Sequence, residues 1–452
     1  MTPRTFLPRR TSHLLTWACF ACLALWTFPA AGQQVDQQLW GVDPVVKLTA
    51  VAVSGQTLYV GGLFNSVAPV IGGGAITDPA TGVFRPYSPR VAGIIWVCIP
   101  DGRRGWFIGG NFAGVGGLPR SNLAHIFGDG HVDAWAPNPD GEIRSLALAG
   151  QTVYVGGIFK NIGGERRSNV AAVDIGSGRV TDWNPGTDDF VTSILVLRDR
   201  VHLGGSFGIV DGQPRPYLAA VDLGPGRVTG WDPQPDNIVF VLAAHGDMVF
   251  AGGSFYGIAG EARPRLAAFN SRTDSLLGWN ANVDRIPDFH FDCGPCVIAL
   301  LVSGERLYEG GGFNRIGGAV RPGLAALDIN TGVAVEWDPN VEMPAPGNQP
   351  PTVNCITLRG SALYVGGFFY NLGGRLGEFG GALDTVTGER LAWDPKPNVF
   401  VYAMAGSGDA IFLGGAFTSV GPTIPRHGLA AFDLNTGRVT SWDPVRTVRW
   451  SL

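Results

Sequence analysis

Lysine is nearly missing from this chain: Lys47, Lys160 and Lys396 are the only three in 452 residues. Acidic residues outnumber basic ones, 37 to 33. No basic patch is visible, which argues against a nucleic-acid partner. No basic amphipathic helix marks a membrane-surface binder. No segment sustains an apolar period of 3.6, so a helical solenoid is excluded. There is no phosphate-binding loop. The segment Asp129-Gly-His-Val-Asp133 is too short for a calcium loop. His125, His131, His202, His245 and His427 are scattered and read as solvated or hydrogen-bonded residues.

Cysteine is scarce as well, with six residues. Two of them, Cys19 and Cys22, fall in residues 1–32, which read as a signal peptide. Arg4, Arg9 and Arg10 form a basic start, Leu14 to Phe28 an apolar middle, and Ala30 and Gly32 supply small residues for cleavage. A membrane anchor is the competing reading, but the apolar run is shorter than the ~20 residues a span needs. A twin-arginine signal is a third reading, poorly matched by the Thr-Ser-His-Leu-Leu after Arg9-Arg10. Removing 1–32 takes three arginines and no acid, leaving 30 basic against 37 acidic residues, or −7. The expected location is secreted or periplasmic, with no membrane span after removal. Cys98, Cys293, Cys296 and Cys355 then sit in an oxidising compartment.

Glycine, by contrast, is abundant at 67 residues, and it is periodic. Val153-Tyr154-Val155-Gly156-Gly157-Ile158-Phe159 returns in related form at residues 58–64, 106–112, 201–207, 249–255, 307–313, 363–369 and 411–417. The first glycines fall at 61, 109, 156, 204, 252, 310, 366 and 414. Eight copies at a step near 48 mean a repeat architecture. Copy three shows four strand signals, at 143–148, 152–155, 170–173 and 179–183. Asp174 is placed to bond the turn between the last two. Four short antiparallel strands per period describe a propeller blade. The expectation is an all-β chain forming an eight-bladed β-propeller of four-stranded antiparallel blades over residues 45–444. Residues 33–44, with Trp40 to Pro44, and residues 445–452 are each an available latch strand.

The diglycine permits either close backbone approach or positive φ. The phenylalanine after it is expected to fill the space between sheets. Ala50, Cys98, Ser145, Ser193, Val241, Ala299, Cys355 and Ala403 form a small-residue column on the first strand, near the axis. Cys98 and Cys355 read there as buried small residues, in different copies and not bonded to each other.

Ala326 to Trp337, with its Asp, Thr-Gly and Trp, resembles the tryptophan-docking hairpin of eight-bladed quinoprotein dehydrogenases, although four residues rather than three separate Gly332 from Trp337. The Tyr-Val-Gly-Gly-x-Phe element, followed by Ile-Gly-Gly-x-x-Arg, more closely resembles the delta-sixty repeat of secreted bacterial β-propellers. That resemblance implies the fold and export, and little about activity.

Two features could carry chemistry. The glycine steps lengthen to 58 and 56 at residues 283–296 and 341–352, both between a fourth strand and the next first strand. Two long loops on one face make a binding edge. The first contains Asp288, His290, Asp292, Cys293 and Cys296. A Cys293–Cys296 disulfide is expected there. A metal site and a redox dithiol are the alternatives; the first lacks a second ligand pair and the second the helix that lowers a thiol pKa. The other feature is a ring of arginines, Arg120, Arg167, Arg215, Arg263, Arg321 and Arg426, at equivalent positions in six copies. Planar donors could bind carboxylates or acidic glycans. The structural alternative pairs each with a backbone carbonyl or an acid such as Asp232, Asp338 or Asp443.

The expected function is therefore a non-catalytic binding or scaffold module for a glycan, a cell-envelope component or a protein partner, with no cofactor. The competing expectation is an exported enzyme, a quinoprotein-type oxidoreductase or a polysaccharide lyase or hydrolase. The oxidoreductase would need a quinone in the axial funnel, a calcium ion and a catalytic carboxylate.

Overall fold

The computed structural model describes residues 72–283, 296–343, 351–377 and 379–421, and the backbone of strands Trp40–Asp43, Lys47–Ser54, Thr57–Leu63, Ser66–Pro69, Ile424–Pro425 and Leu429–Asp433. All of these belong to one compact unit, Gln37–Leu452. Every named element among them is a strand, and no helix there is long and apolar enough to cross a membrane. The signal peptide expected at 1–32 and the latch expected at 445–452 lie outside the described residues.

Copy three shows the repeating unit. Glu142–Ala149 and Thr152–Ile158 form an antiparallel hairpin, and Val170–Asp174 pairs with its second strand. A small hairpin, Asn161–Ile162 with Glu165–Arg166, lies on the way to the third strand. Alternation along the second strand sends its side chains into two layers. Val153 and Val155 pack with Phe107 and Leu123 of copy two, and Tyr154 packs with Val191 and Val201 of copy four. Each sheet is therefore buried on both faces by its neighbours, in the manner of propeller blades.

The diglycine corner makes that packing possible. A Cβ on Gly156 would stand 2.8 Å from Cγ1 of Val191 in the next copy, and one on Gly157 would stand 2.0 Å from the Glu142 carbonyl oxygen. Neither glycine has positive φ, so of the two roles open to them the corner uses space. The first admits the neighbouring sheet; the second admits a bulge in the first strand. There Ile143 pairs with Gly157 and Ser145 with Gly156, so Arg144 has no partner across the hairpin. The phenylalanines after the corner, Phe159, Phe207, Phe255, Phe313, Phe369 and Phe417, are all buried.

The sheets follow one another in a cycle. The first strand of copy two, Val91–Pro100, touches that of copy three, and contact continues through Val191–Leu197, Val239–His245, Cys296–Ser303, Thr352–Arg359 and Val401–Ser407. This last strand, from copy eight, touches Val91–Pro100 again. The corner contact recurs at the join, where a Cβ on Gly414 would stand 2.4 Å from Cγ2 of Ile95. Trp106 of copy two also donates its indole N–H to the Ala405 carbonyl of copy eight at 3.1 Å.

Copies one and eight share strands. Gly74–Thr77 of copy one is the third strand of copy eight's sheet. The hairpin of copy one, Lys47–Ser54 and Thr57–Leu63, takes Leu429–Asp433 of copy eight in return. Ser66–Pro69 pairs with Ile424–Pro425 in the same exchange, and Trp40–Asp43 pairs with its other edge. Arg85 of copy one adds an ion pair to Asp409 at 3.2 Å.

Two sequence expectations need correction. The fourth strand shrinks to a single bridge to the third, as in Val173↔Val180 and Leu327↔Ala334. The chain leaves the sheet there because its tryptophan turns inward: Trp183 packs edge-on against Tyr154 and donates to the Asp222 carbonyl of the next copy at 2.9 Å. The residue count between Gly332 and Trp337 therefore sets no long strand register. Cys98 also stands one place off its column: Val97 pairs with Gly109, because the hairpin loop of copy two, 102–104, is one residue longer than the loop 150–151 of copy three. Cys98 and Cys355 are buried and unbonded, and burial pushes both thiols up, so neither ionises near neutral pH.

Candidate binding face

The bulge has a functional consequence. In the seven sheets of the cycle the residue skipped by the register is Trp96, Arg144, Thr192, Phe240, Ile298, Asn354 or Tyr402. Flanking residues on these strands enter the inter-sheet layers, whereas the skipped ones stay half-buried and belong to none of the core clusters. They touch sideways instead. The Thr192 hydroxyl donates to the Val239 carbonyl of the next copy at 2.6 Å, and the Asn354 amide donates to the Val401 carbonyl at 3.2 Å. The Arg144 guanidinium lies 4.1 Å over the Trp96 ring, and the Trp96 and Tyr402 rings are 4.5 Å apart. These side chains make a belt around the axis.

The belt sits near the start of each first strand, the end at which the fourth-to-first connections arrive. Both insertions join the chain at this end. Asp288, His290, Asp292 and Cys293 lie outside the described residues, as does the expected Cys293–Cys296 disulfide. Cys296 itself is buried at the head of its strand.

One sector of this face is aromatic. From Tyr402 the ring contacts continue to Phe400 at 6.3 Å, from there to Phe368 at 5.1 Å and Phe379 at 5.5 Å, and on to Tyr370 at 6.0 Å from Phe379. All are half-buried. Copies seven and eight also form a cleft of about 470 Å³ lined by Leu376, Asp394, Lys396, Asn398 and Ser419. At the axial end Arg144 is balanced by Glu142 at 2.6 Å, and Asn111 holds the Glu142 carboxylate at 3.2 Å. The sector thus offers aromatic surface and polar groups with little net charge.

The position of Phe379 is informative. Just before each third strand the chain passes through a left-handed residue: Asn122 at φ 63°, Asn169 at 65°, Tyr217 at 61°, Arg265 at 66°, Gly323 at 69° and Phe379 at 62°. Its amide donates to the carbonyl of the corner phenylalanine, as from Asn169 to Phe159 and from Phe379 to Phe369. Glycine and asparagine adopt this conformation at least cost. Asn122 and Asn169 also accept a bond from the same phenylalanine's amide with their side chains. Phe379 gives up both advantages and contributes a ring to the aromatic sector. Arg265 stacks 4.3 Å over the exposed Tyr256 and donates to the carbonyl of Val283, the last described residue before the first insertion.

The described members of the arginine ring have a shared bonding pattern. Arg120, Arg167, Arg215, Arg263 and Arg321 each donate to the carbonyl of the preceding residue and to one on the fourth segment: Asp133, Thr181, Thr229, Leu277 and Val335. Arg215 and Arg321 also approach Asp232 and Asp338, at 4.0 and 3.2 Å. This is the bonding of the structural alternative. Copy seven has Gly377 at the equivalent place, and Arg390 reaches back from the fourth segment to the Leu376 carbonyl at 2.7 Å. A guanidinium thus fills the same space from a different strand. Arg426 lies outside the described residues.

The remaining chemistry-bearing residues stand apart from the belt. Gly204-Gly-Ser206-Phe-Gly208 has the spacing of a nucleophile elbow, but it is the corner of copy four, and the Ser206 hydroxyl donates to Asp189 at 3.2 Å. His125 is held by Asp133 at 2.7 Å and Asp101 at 3.1 Å. Among the described residues no three His, Cys, Asp or Glu side chains form a group able to hold a metal. Among the described residues the skipped positions themselves carry no carboxylate, and Glu142 at the axial end is paired with Arg144.

No protein-family model matches the chain, and no curated protein sequence does. Two solved structures are similar in outline. The computationally designed Ika8 protein aligns at 15% identity with a TM-score of 0.46, over 86% of this chain and 96% of that one. The extracellular domain of the one-component system BT4673 of B. thetaiotaomicron aligns at 14% identity and TM-score 0.46, over 76% of this chain and 39% of that one. The chain therefore spans well under half the length of the second.

Proposed function

We propose that this protein is an exported, non-catalytic binding module, a propeller whose ligand face is the end bearing the axial belt and the two insertions, and that its ligand is a glycan chain. The observation that carries this reading is the run of half-buried rings from Tyr370 to Trp96. It runs through copies seven, eight and two; copies four and five carry Phe190, Tyr217, Phe240 and Tyr256 at equivalent positions, but among the described residues no ring contacts link these into a run. A scaffold role would be met equally in every copy. Flat rings beside planar hydrogen-bonding groups suit ligands that present apolar faces and polar edges, and the Arg144–Glu142 pair leaves little charge to favour an ion. A run of rings from the axial belt to Tyr370 suits an extended chain. Export is supported by the signal-like residues 1–32 and by the delta-sixty resemblance. In this reading the ring is the seven-sheet cycle that closes from copy eight to copy two; the hairpin of copy one and Leu429–Asp433 form a further sheet outside that cycle, so the ring has one blade fewer than the eight expected from the sequence.

A polysaccharide and glycoprotein array tests the proposal. Trp96→Ala with Tyr402→Ala should weaken binding at least tenfold, about 1.4 kcal/mol, and deletion of 284–296 and 342–351 should weaken it further. Retention of full affinity by both variants, folded by circular dichroism, would remove this face from consideration.

A further inference from the structure

The main hairpin of each copy, formed by its first two strands, offers the same slot to a third strand. The first corner glycine pairs with the first residue of that strand, as Gly156 does with Val170, Gly204 with Leu218 and Gly310 with Leu324. At the exchanged ends the slot is unchanged: Gly414 pairs with Gly74, and Gly61 with Leu429. Each end copy also holds a complete set of three strands of its own. Undoing the exchange therefore requires no shift of register. Gly61 would meet Gly74, and Gly414 would meet Leu429.

The two pairings have different consequences at the axis. In the exchanged form the first strand of copy eight lies directly against that of copy two, which brings Tyr402 to 4.5 Å from Trp96. Self-pairing would bring the first strand of copy one, Lys47–Ser54, into the cycle between them. Its bulge position, Thr49, would then stand between the two rings. The crossover is shaped for the exchanged form. A Cβ on Gly72 would stand 1.9 Å from the Val91 carbonyl oxygen, and one on Gly73 2.2 Å from that of Gly93. The Gly415 amide donates to the Gly73 carbonyl at 2.9 Å.

We propose that the chain closes in two ways, exchanged and self-paired, that the exchanged form is the resting state, and that self-pairing separates Tyr402 from Trp96 and interrupts the aromatic run. The structural part stands on strand register alone. Its effect on ligand binding rests on the function proposed above.

Paired cysteines at one slot report the closure, because directly opposed strand residues fall within disulfide range. Thr77→Cys with Ile411→Cys reports exchange. Leu58→Cys with Thr77→Cys, and Ile411→Cys with Phe432→Cys, report self-pairing. In the full-length chain, with bonds mapped by peptide mass, the first variant should cross-link almost completely under native oxidising conditions. The other two should cross-link in a minor fraction, rising after unfolding and oxidative refolding. Absence of both self-paired links in every condition overturns the two closures. Self-paired links without the 77–411 link overturn exchange as the resting state. If Ile411→Cys prevents folding, Ala75→Cys with Leu413→Cys against Val60→Cys with Ala75→Cys asks the same question one slot along. Cross-links as expected, with equal glycan binding in both locked forms, would leave the closures standing and remove the binding reading.

Discussion

The corner and the bulge face each other across the same hairpin, yet they obey different rules. The corner is uniform: both glycines are present in every copy, because one must admit the next sheet and the other a carbonyl oxygen. The bulge is uniform only in its backbone, and its side chain is Trp, Arg, Thr, Phe, Ile, Asn or Tyr around the cycle. Where the backbone repeats and the side chain repeats, the residue serves the scaffold. Where the backbone repeats and the side chain does not, the residue is free to serve a ligand.

The sharpest test of the first half of that contrast is Gly157→Ala. Its Cβ would stand 2.0 Å from the Glu142 carbonyl oxygen, which cannot retreat without opening the bulge. Overpacking against backbone should cost about 4 kcal/mol, read as a lowered urea midpoint. A loss below about 1 kcal/mol would mean that the corner has room to spare.

Two ionisable residues break the scaffold's uniformity from within, and they tilt stability in opposite directions. His202 occupies the place of Tyr154, is buried against Trp231, and has its pKa lowered to about 4, first by burial and then by Arg200. The unfolded chain binds a proton at this histidine below about pH 6.5, which the folded chain refuses until about pH 4. Stability should therefore fall by about 3 kcal/mol as pH drops through that window, and His202→Tyr should flatten the slope. Glu309 occupies the place of Val155, is fully buried, and has no hydrogen-bond partner for either carboxylate oxygen. Burial raises its pKa well above 4.5, so the folded chain holds it neutral while the unfolded chain ionises. Its contribution is most favourable below about pH 4.5 and declines as pH rises above that value. Glu309→Val should remove this decline and raise stability at pH 7 by about 2 kcal/mol. Urea titrations at pH 4, 5.5 and 7 separate the two residues by the sign of the slope.

The same contrast explains what could be read in the chain and what could not. The eight corners are legible because a steric demand for glycine recurs at each one. The arginine ring was equally legible as a period, but its bonding is to backbone carbonyls, which leave no mark on the sequence. The belt left no compositional signal, since a bulge is a property of register. Its trace was a single variable position between a buried Val or Ile and a small residue, as in Val191-Thr-Ser193 and Val401-Tyr-Ala403. Strand exchange was invisible for a related reason: copies one and eight contain the same parts whichever way they pair. The insertions, the most conspicuous irregularity in the glycine spacing, fall largely outside the described residues.

The smallest expected effect on stability belongs to the residue that tests the second half of the contrast. Phe379 holds a left-handed backbone conformation at φ 62°, where copies two and three use asparagine. Phe379→Asn should relieve that conformation and restore a side-chain bond to the Phe369 amide, like the one from Asn169 to Phe159. The lost packing is modest, because the ring is half-buried at the surface. The net change should lie within about 1 kcal/mol of zero, while glycan affinity falls severalfold through loss of the ring that links Phe400 to Tyr370. A variant both less stable by more than about 2 kcal/mol and unaltered in binding would assign Phe379 to the scaffold. The distinction between repeated and variable side chains would then fail at the position where it is most clearly drawn.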